Sequence, residues 1–233
     1  MQLEQGSEFI MVERIRHGTM REEVFQQLRE RILLGYYAKG TALTESRVSQ
    51  ELGVSRTPIR EAFSQLLLDG LVTASPNKSI IVQGFDEQDI LDLYEVRSRI
   101  ETLAADRAAN QMTDEQRLAL QDVYAREVAD TDNPASKVSH LQSLDAGFHD
   151  LIFQGSGSKI LRNMLTAINH YTRSARLVSL TMPGRSRNVL QEHARVLDAI
   201  LHRDGAEAHE QMRIHIAMAA ASYQAVSRIR RTP

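Results

Sequence analysis

The stretch Gly53 to Phe63, GVSRTPIREAF, decides the fold of the first part of the chain. Ser55 can cap a helix that begins here, which places Pro58 in the first turn, where its missing N–H loses no intrahelical partner. The proline therefore marks the start of a helix rather than a break. Arg56 and Arg60, four residues apart, then lie on one side of that helix, away from its apolar face.

Two further helices are predicted before this one. Residues 21–34 carry apolar side chains at helical spacing and end at a glycine. The segment ESRVSQEL can be capped by Thr44 and closed by Gly53. The third helix is predicted to bury a stripe of five apolar side chains, Ile59, Ala62, Phe63, Leu66 and Leu67.

The residues after the third helix predict a β-hairpin. The segments LVTASP and SIIVQGF are short β-type runs, and the turn between them contains Asn77 and Lys78. Two helices, a tight turn, a third helix and a hairpin make a winged helix-turn-helix. We predict such a domain over residues 17–82, in a chain that is mainly α-helical.

The winged helix-turn-helix predicts contact with DNA. The second helix of such a motif lies in the major groove, with its first turn nearest the base edges. Arg56, Thr57 and Arg60 occupy that turn, and an arginine fork can bond both O6 and N7 of guanine. The alternative is that these side chains form only a solvated face. Residues 11–82 hold ten basic and eight acidic residues, a mild excess that favours a polyanionic partner.

The composition is that of a folded protein, with 42% hydrophobic and 25% charged residues among 233. The chain has no cysteine, so a metal site must use His, Asp and Glu. It has neither a long apolar run nor a signal-peptide pattern, and we expect a cytoplasmic protein without membrane contact. Residues 1–16 are interpreted as a tag remnant, because GSEF resembles a cloning site, with an N-terminal extension.

The remainder of the chain predicts a second, all-helical domain over residues 86–229, after a linker at 83–85. No strand pattern recurs there, and breaks such as GSGS and TMPGRS separate the apolar runs. Six helices are expected, near 86–109, 113–129, 135–154, 158–180, 187–203 and 205–229.

Four polar residues recur on the apolar faces of these helices. Asp145 and His149 are four residues apart and project the same way, while His193 and His215 lie on the apolar stripes of two later helices. Neutral imidazoles and one carboxylate in a bundle interior suit a divalent transition metal such as Zn, Ni, Mn, Fe or Co. The alternative is that they are satisfied core residues. The other histidines, His17, His140, His170, His202 and His209, are predicted to face solvent.

Arg97 is predicted to point inward from the first helix of this domain. It shares a stripe with Tyr94 and Glu101, and these three residues are candidates for binding an effector. The alternative is an internal salt bridge between Arg97 and Glu101 with no ligand. Arg173 and Arg176 are further candidates.

The first domain resembles the GntR family of bacterial transcription regulators, whose signature is similar to GVSRTPVREAL. The resemblance implies a DNA-contacting arginine early in the second helix, where this chain has Ser46 with Arg47 next to it. It also implies a glycine in the wing, where this chain has Ser79. We therefore expect Arg47 to contribute to DNA binding and Lys78 to hold a phosphate.

The second domain resembles the FCD effector domain of FadR-type GntR regulators, on DxxFH at Asp145 to His149, EH at His193 and HI at His215. The resemblance implies that these are the one Asp and three His ligands of the metal-binding members. It also implies that the arginine of YEVRSRIETLAA faces the effector pocket. Six helices are closer to the shorter, VanR-like branch. An octahedral ion with four such ligands would keep two positions for a small carboxylate.

The leading hypothesis is a ligand-responsive transcription regulator, a repressor in the first instance, that binds a palindromic operator as a homodimer. One head offers few base contacts, whereas two heads read two half-sites. One alternative is a metal-dependent enzyme with a vestigial DNA-binding domain, although no acid or base beyond the ligands is evident beside them. The other is an architectural helical dimer whose histidines only pack.

Overall fold

A computed structural model describes residues 19–33, 35–75, 79–133 and 138–231. The chain divides at Gly84 into two compact units. Each unit has its own buried apolar core. Within the described residues, none of the helices has the length and apolar character that a membrane crossing requires.

The first unit is a winged helix-turn-helix, as predicted. Its elements in chain order are α1 (Met20–Leu33), β1 (Ala42–Thr44), α2 (Glu45–Leu52), α3 (Arg56–Leu68), β2 (Val72–Ala74) and β3 (Ser79–Val82). The strands form one antiparallel sheet in the order β1-β3-β2. Ile80 of β3 lies opposite Leu43 of β1 and Ala74 of β2.

Local capping explains where α2 and α3 begin and end. The Thr44 side chain accepts a hydrogen bond from the backbone N–H of Arg47, which begins α2. Gly53 ends α2 in the left-handed conformation, with φ of 65°. Ser55 is the N-cap of α3 through its extended backbone, although its side chain makes no capping hydrogen bond. Pro58 lies in the first turn of α3, as predicted.

The apolar face of α3 is buried as expected at four of five positions. Ile59, Ala62, Phe63 and Leu66 are buried, but Leu67 keeps 38% of its surface exposed, so that prediction was wrong. Strand β1 was not predicted, because three residues are too few to show an alternating pattern.

The second unit is a helical bundle, and the six predicted helices are confirmed within the described residues. They are α4 (Glu87–Gln111), α5 (Asp114–Thr131), α6 (Val138–Gly155), α7 (Lys159–Leu180), α8 (Arg185–Leu201) and α9 (Gly205–Arg231). Capping boxes begin two of them. Asp86 and Asp89 form the box of α4, and Thr113 and Gln116 form that of α5.

Helices α4 and α9 pack against each other along their lengths. Gly205 at the start of α9 lies so close to α4 that a Cβ there would come within 2.1 Å of Asp106 Oδ1. At the other end, the rings of Tyr94 and Tyr223 lie 6.1 Å apart, so the two helices run antiparallel. The surrounding core includes Phe148 and Met212, both without solvent exposure. Buried polar side chains of all six helices lie inside this unit.

Candidate metal centre and nucleic-acid interface

The four predicted metal ligands lie together in the bundle interior. Asp145 and His149 lie one turn apart on α6, His193 is on α8 and His215 is on α9. The four residues are at most 6% exposed. One potential ligand atom from each lies within 4.8 Å of the others. Helical spacing alone had indicated that each residue faces inward, and the tertiary fold brings the four to one point.

Each of the three imidazoles meets a buried glutamate through Nδ1. The pairs are His149 with Glu101 at 2.5 Å, His193 with Glu127 at 2.8 Å and His215 with Glu192 at 2.8 Å. A carboxylate at Nδ1 favours the tautomer in which Nδ1 carries the proton. The lone pair of Nε2 is then directed into the centre.

The Nε2 atoms converge without adequate partners of their own. Those of His149 and His215 lie 3.2 Å apart, and that of His193 lies 3.7 Å from Asp145 Oδ1. Among the described residues, Nε2 of His193 is buried without a hydrogen-bond partner. A buried polar atom that lacks a partner costs free energy. A divalent ion would satisfy all three nitrogens and the carboxylate, so the residues fit a metal.

Burial and neighbouring charges keep most of the centre in the protonation state that a metal needs. Burial lowers the pKa of His215 to about 3 and also lowers the pKa of His149. Burial would raise the pKa of Asp145, but the charge of Arg176 and the nearby imidazoles lower it overall. His193 differs, because the Glu127 carboxylate outweighs burial and raises its pKa. A ligand carboxylate is therefore ionised, and two imidazoles are neutral, at neutral pH.

Three buried arginines surround this centre. Arg97 Nε donates to Glu101 at 2.6 Å, Arg176 Nε lies 3.1 Å from Asp145 Oδ2, and Arg185 donates to both oxygens of Glu192. The ion pair between Arg97 and Glu101 that the sequence left as an alternative is therefore present. Because Glu101 also contacts His149, the pair is continuous with the centre rather than separate from it.

Three acids that were not evident from the sequence lie beside the candidate ligands. Glu101, Glu127 and Glu192 each contact an imidazole. The sequence pattern predicts Glu101 as a residue of the effector pocket, and Glu192 directly precedes His193. Glu127 lies 66 residues from its histidine. The only feature of the sequence that points to Glu127 is its position on the inward face of α5.

A small cavity of about 10 Å³ adjoins the centre, with room for about one water molecule. Its polar lining consists of Arg97, Asp145, Arg176, Ser179, Arg185 and His215. Among the described residues, buried nitrogens of these three arginines lack hydrogen-bond partners. The hydroxyl of Tyr94 is also buried without a partner, and burial raises its pKa to about 12. The cavity therefore offers several unused donors beside the centre.

The remaining histidines are placed as predicted wherever the structure describes them. His140, His202 and His209 are exposed. His17 lies outside the described residues, as do the side chains of His170 and Arg173.

The predicted DNA-contacting residues on α3 are all exposed. Arg56, Thr57 and Arg60 lie on its first turns. Arg47 on α2 is also exposed, and its Nη1 lies 3.4 Å from the carbonyl oxygen of Ala42. The two predicted wing-tip residues, Asn77 and Lys78, lie outside the described residues.

Arg60 has a partner that the sequence did not reveal. Its Nε and Nη2 donate to the two carboxylate oxygens of Glu45, at 2.8 and 2.9 Å. Glu45 is the first residue of α2, so this contact connects the two helices of the motif.

Each of the two units matches a known protein family. Residues 20–82 match the family described as bacterial regulatory proteins, gntR family, and residues 92–218 match the FCD domain. The chain belongs to the gntR family. Regulators of this family bind DNA operators, and the FCD domain binds small-molecule effectors. This gntR-family chain is therefore a DNA-binding transcription regulator, and the expectation that it is not an enzyme is confirmed.

Relatives agree with this assignment, and a solved structure shares the fold. The uncharacterized HTH-type transcriptional regulator YdhC of Bacillus subtilis is 25% identical over 193 residues, covering 83% of this chain and 86% of that protein. The HTH-type transcriptional repressor RspR of Escherichia coli is 26% identical over 196 residues, with coverages of 84% and 85%. The structure of E. coli McbR/YncC shares the fold, with a TM-score of 0.64 at 18% identity over 89% of this chain and all of that one.

The glutamates of the gntR-family chain give a direct test of the metal centre. The substitution Glu127→Gln replaces the carboxylate at His193 Nδ1 with a neutral amide of the same shape. We expect metal affinity to fall by about 10- to 100-fold, since carboxylates of this kind orient the imidazole and raise its basicity. Competition with a chromophoric chelator at fixed pH measures the affinity. Glu115→Gln, on the exposed side of the same helix, should have no effect. Equal affinities for the two variants would contradict the role of Glu127.

Proposed function

We propose that this regulator is a metal-dependent sensor of a small carboxylate, and that it represses transcription from a palindromic operator as a cytoplasmic homodimer. Asp145, His149, His193 and His215 would hold a divalent transition metal, of which Zn, Ni, Mn and Fe are candidates. Metal-free packing of the histidines is the alternative that the experiment below addresses.

The convergence of one potential ligand atom from each of Asp145, His149, His193 and His215 carries the proposal. A histidine buried only for packing needs a partner for each nitrogen. Here each Nδ1 lies within 2.8 Å of a glutamate oxygen, whereas the Nε2 of His193 has no hydrogen-bond partner among the described residues. A carboxylate at Nδ1, with Nε2 directed to a shared point, is the arrangement of histidine metal ligands. When bound, the ion would supply open positions for an oxygen ligand.

The buried charges around the centre also favour binding of a metal cation and then of an anionic effector. Of four buried carboxylates, Glu101, Asp145 and Glu192 each pair with a buried arginine, and Glu127 pairs with His193. Once all three imidazoles are deprotonated, as metal binding requires, these four carboxylates and three arginines have one excess negative charge, and a divalent ion changes it to one excess positive charge. Buried net charge is costly, so a carboxylate that enters beside the metal is stabilised by neutralising it.

The arginines and Tyr94 would bind the far side of the effector. Arg97 Nη1, Arg176 Nη2 and the Tyr94 hydroxyl are buried donors without partners among the described residues. An arginine fork matches the two oxygens of a carboxylate. The adjoining cavity has room for about one water molecule, so an effector must push side chains or helices apart as it enters.

This requirement connects effector binding to DNA binding. A ligand can shift a conformational equilibrium only by its difference in affinity between the two states. An effector that fits only an expanded bundle favours that state. The relative RspR is named a repressor, which supports repression here. Two DNA-binding units related by two-fold symmetry would read the two half-sites of the operator.

The test uses metal-loaded full-length protein and a panel of small mono-, di- and hydroxycarboxylates. We expect at least one to raise the melting temperature, and only when metal is present. Tyr94→Phe removes one buried hydroxyl. It should weaken binding of that carboxylate by about 5- to 10-fold while the metal content stays unchanged. Tyr223→Phe, whose ring lies 6.1 Å from that of Tyr94, is the matched control. Loss of the metal with no change in melting temperature would instead favour histidines that only pack.

A further inference from the structure

Arg60 is an exposed arginine held in one orientation. Its side chain is 69% exposed, while the Glu45 carboxylate that it contacts is 23% exposed. Both oxygens of Glu45 accept from Arg60, at 2.8 Å from Nε and 2.9 Å from Nη2. A pair of parallel hydrogen bonds fixes the plane of the guanidinium, which a single contact would not.

The carboxylate is itself in a fixed place. Glu45 begins α2, directly after the Thr44 cap, and an acidic side chain is stabilised at a helix N-terminus. Helices α2 and α3 are the two helices of the motif, and Gly53 and Ser55 set the turn between them. The orientation of Arg60 is therefore set by the geometry of the whole motif rather than by α3 alone.

The hydrogen bonds to Glu45 leave a usable fork on Arg60. A guanidinium has five N–H donors, and Glu45 takes the one on Nε and one on Nη2. The two N–H groups that point along the side chain, one on each Nη, stay parallel and face away from Glu45. Two parallel donors match O6 and N7 of guanine in the major groove.

We propose that Glu45 is a positioning residue for DNA recognition, which holds Arg60 so that its outer fork reads one guanine in each half-site. The inference rests on the proposed operator binding by α3. In this proposal an acidic residue strengthens binding to DNA, which is a polyanion. Without it, an arginine on an exposed helix samples many rotamers and contacts phosphates as readily as a base.

A merely electrostatic role for Glu45 predicts a result of opposite sign. A carboxylate near the phosphate backbone repels it, so its removal would strengthen binding to all sequences alike. Positioning instead predicts weaker binding to the preferred sequence and a loss of discrimination at one base pair. The two effects are separated by measuring preferred and unrelated duplexes under the same salt.

The experiment first selects a preferred duplex from a randomised library with wild-type protein. Each base pair of that duplex is then substituted, and affinities are measured for wild type, Glu45→Gln, Arg60→Ala and the double variant. We expect Arg60→Ala to lose about 5- to 150-fold preference for one base pair per half-site. Glu45→Gln should lose preference at the same base pair and keep or raise its affinity for unrelated DNA. The double variant should be no worse than Arg60→Ala.

Glu61→Gln removes the same charge from α3 at an exposed position and should change no base preference. Melting temperatures of all variants show whether each is folded. If Arg60→Ala relaxes one base pair and Glu45→Gln does not, the positioning role is wrong while operator reading by Arg60 stands. If wild type selects no sequence, or if Arg60→Ala changes nothing, the operator reading itself fails and the inference fails with it.

Discussion

Protein purified without chelator is expected to hold about one equivalent of a divalent transition metal, and the double variant His193→Ala, His215→Ala is expected to hold none. Two of the three converging nitrogens are then gone, and Asp145 and His149 alone form too weak a site. Inductively coupled plasma mass spectrometry measures the bound metal. Metal added to stripped wild type should raise its melting temperature, because the ion binds the folded chain, and it should not stabilise the double variant.

The exposed histidines provide a matched control for this result. The double variant His202→Ala, His209→Ala removes two exposed imidazoles outside the centre. His202 is the C-cap of α8, and His209 lies in α9. That variant should bind metal as wild type does. Equal metal content in the wild type and the His193, His215 variant would contradict the assigned ligands. Wild type that stays empty when metal is offered would contradict the site, and the search for an effector would then start from Arg97 and the metal-free cavity.

The double variant Arg56→Ala, Arg60→Ala is expected to lose at least roughly 1,000-fold in affinity for the operator. Each arginine is exposed on the first turns of α3, and each serves twice in a dimer that reads two half-sites. An arginine contact to guanine contributes enough discrimination that four lost contacts reach this magnitude. Fluorescence anisotropy on the selected duplex measures the loss. If either arginine contacts a phosphate, the operator affinity of the double variant should also depend less on salt concentration than that of wild type.

Arginines of the second unit test whether charge alone explains that loss. Arg99→Ala with Arg213→Ala removes two exposed arginines from α4 and α9, and so changes the net charge equally. We expect little change in operator affinity from this variant. A loss as large as that of the α3 variant would show that binding follows overall charge, and it would contradict base reading by Arg56 and Arg60.

The arrangement of helices could be predicted from the sequence because it depends on neighbouring residues. A cap such as Thr44, a terminator such as Gly53 and a proline in the first turn act within a few residues of each other. The same holds for the direction of each metal-ligand candidate. Helical spacing places His193 and His215 on apolar faces, and an apolar face must be buried.

The partners of those residues could not be predicted, since they lie far apart in the chain. Glu127 meets His193 across 66 residues, and Glu45 meets Arg60 across 15. The number of acidic residues that could make either contact is large, and periodicity does not distinguish them. Strand β1 was missed for a related reason, because its three residues are held by pairing with β3.

The sequence by itself therefore determined the winged helix-turn-helix, the helical bundle, the exposed arginines of α3 and the inward direction of the four ligand candidates. Only the tertiary structure decided that each imidazole has a glutamate at Nδ1, that three arginines close around the centre, and that Arg60 is held by Glu45. The physical reason is that helix formation and amphipathicity depend on local spacing. Hydrogen bonds between side chains instead depend on how separate helices are packed.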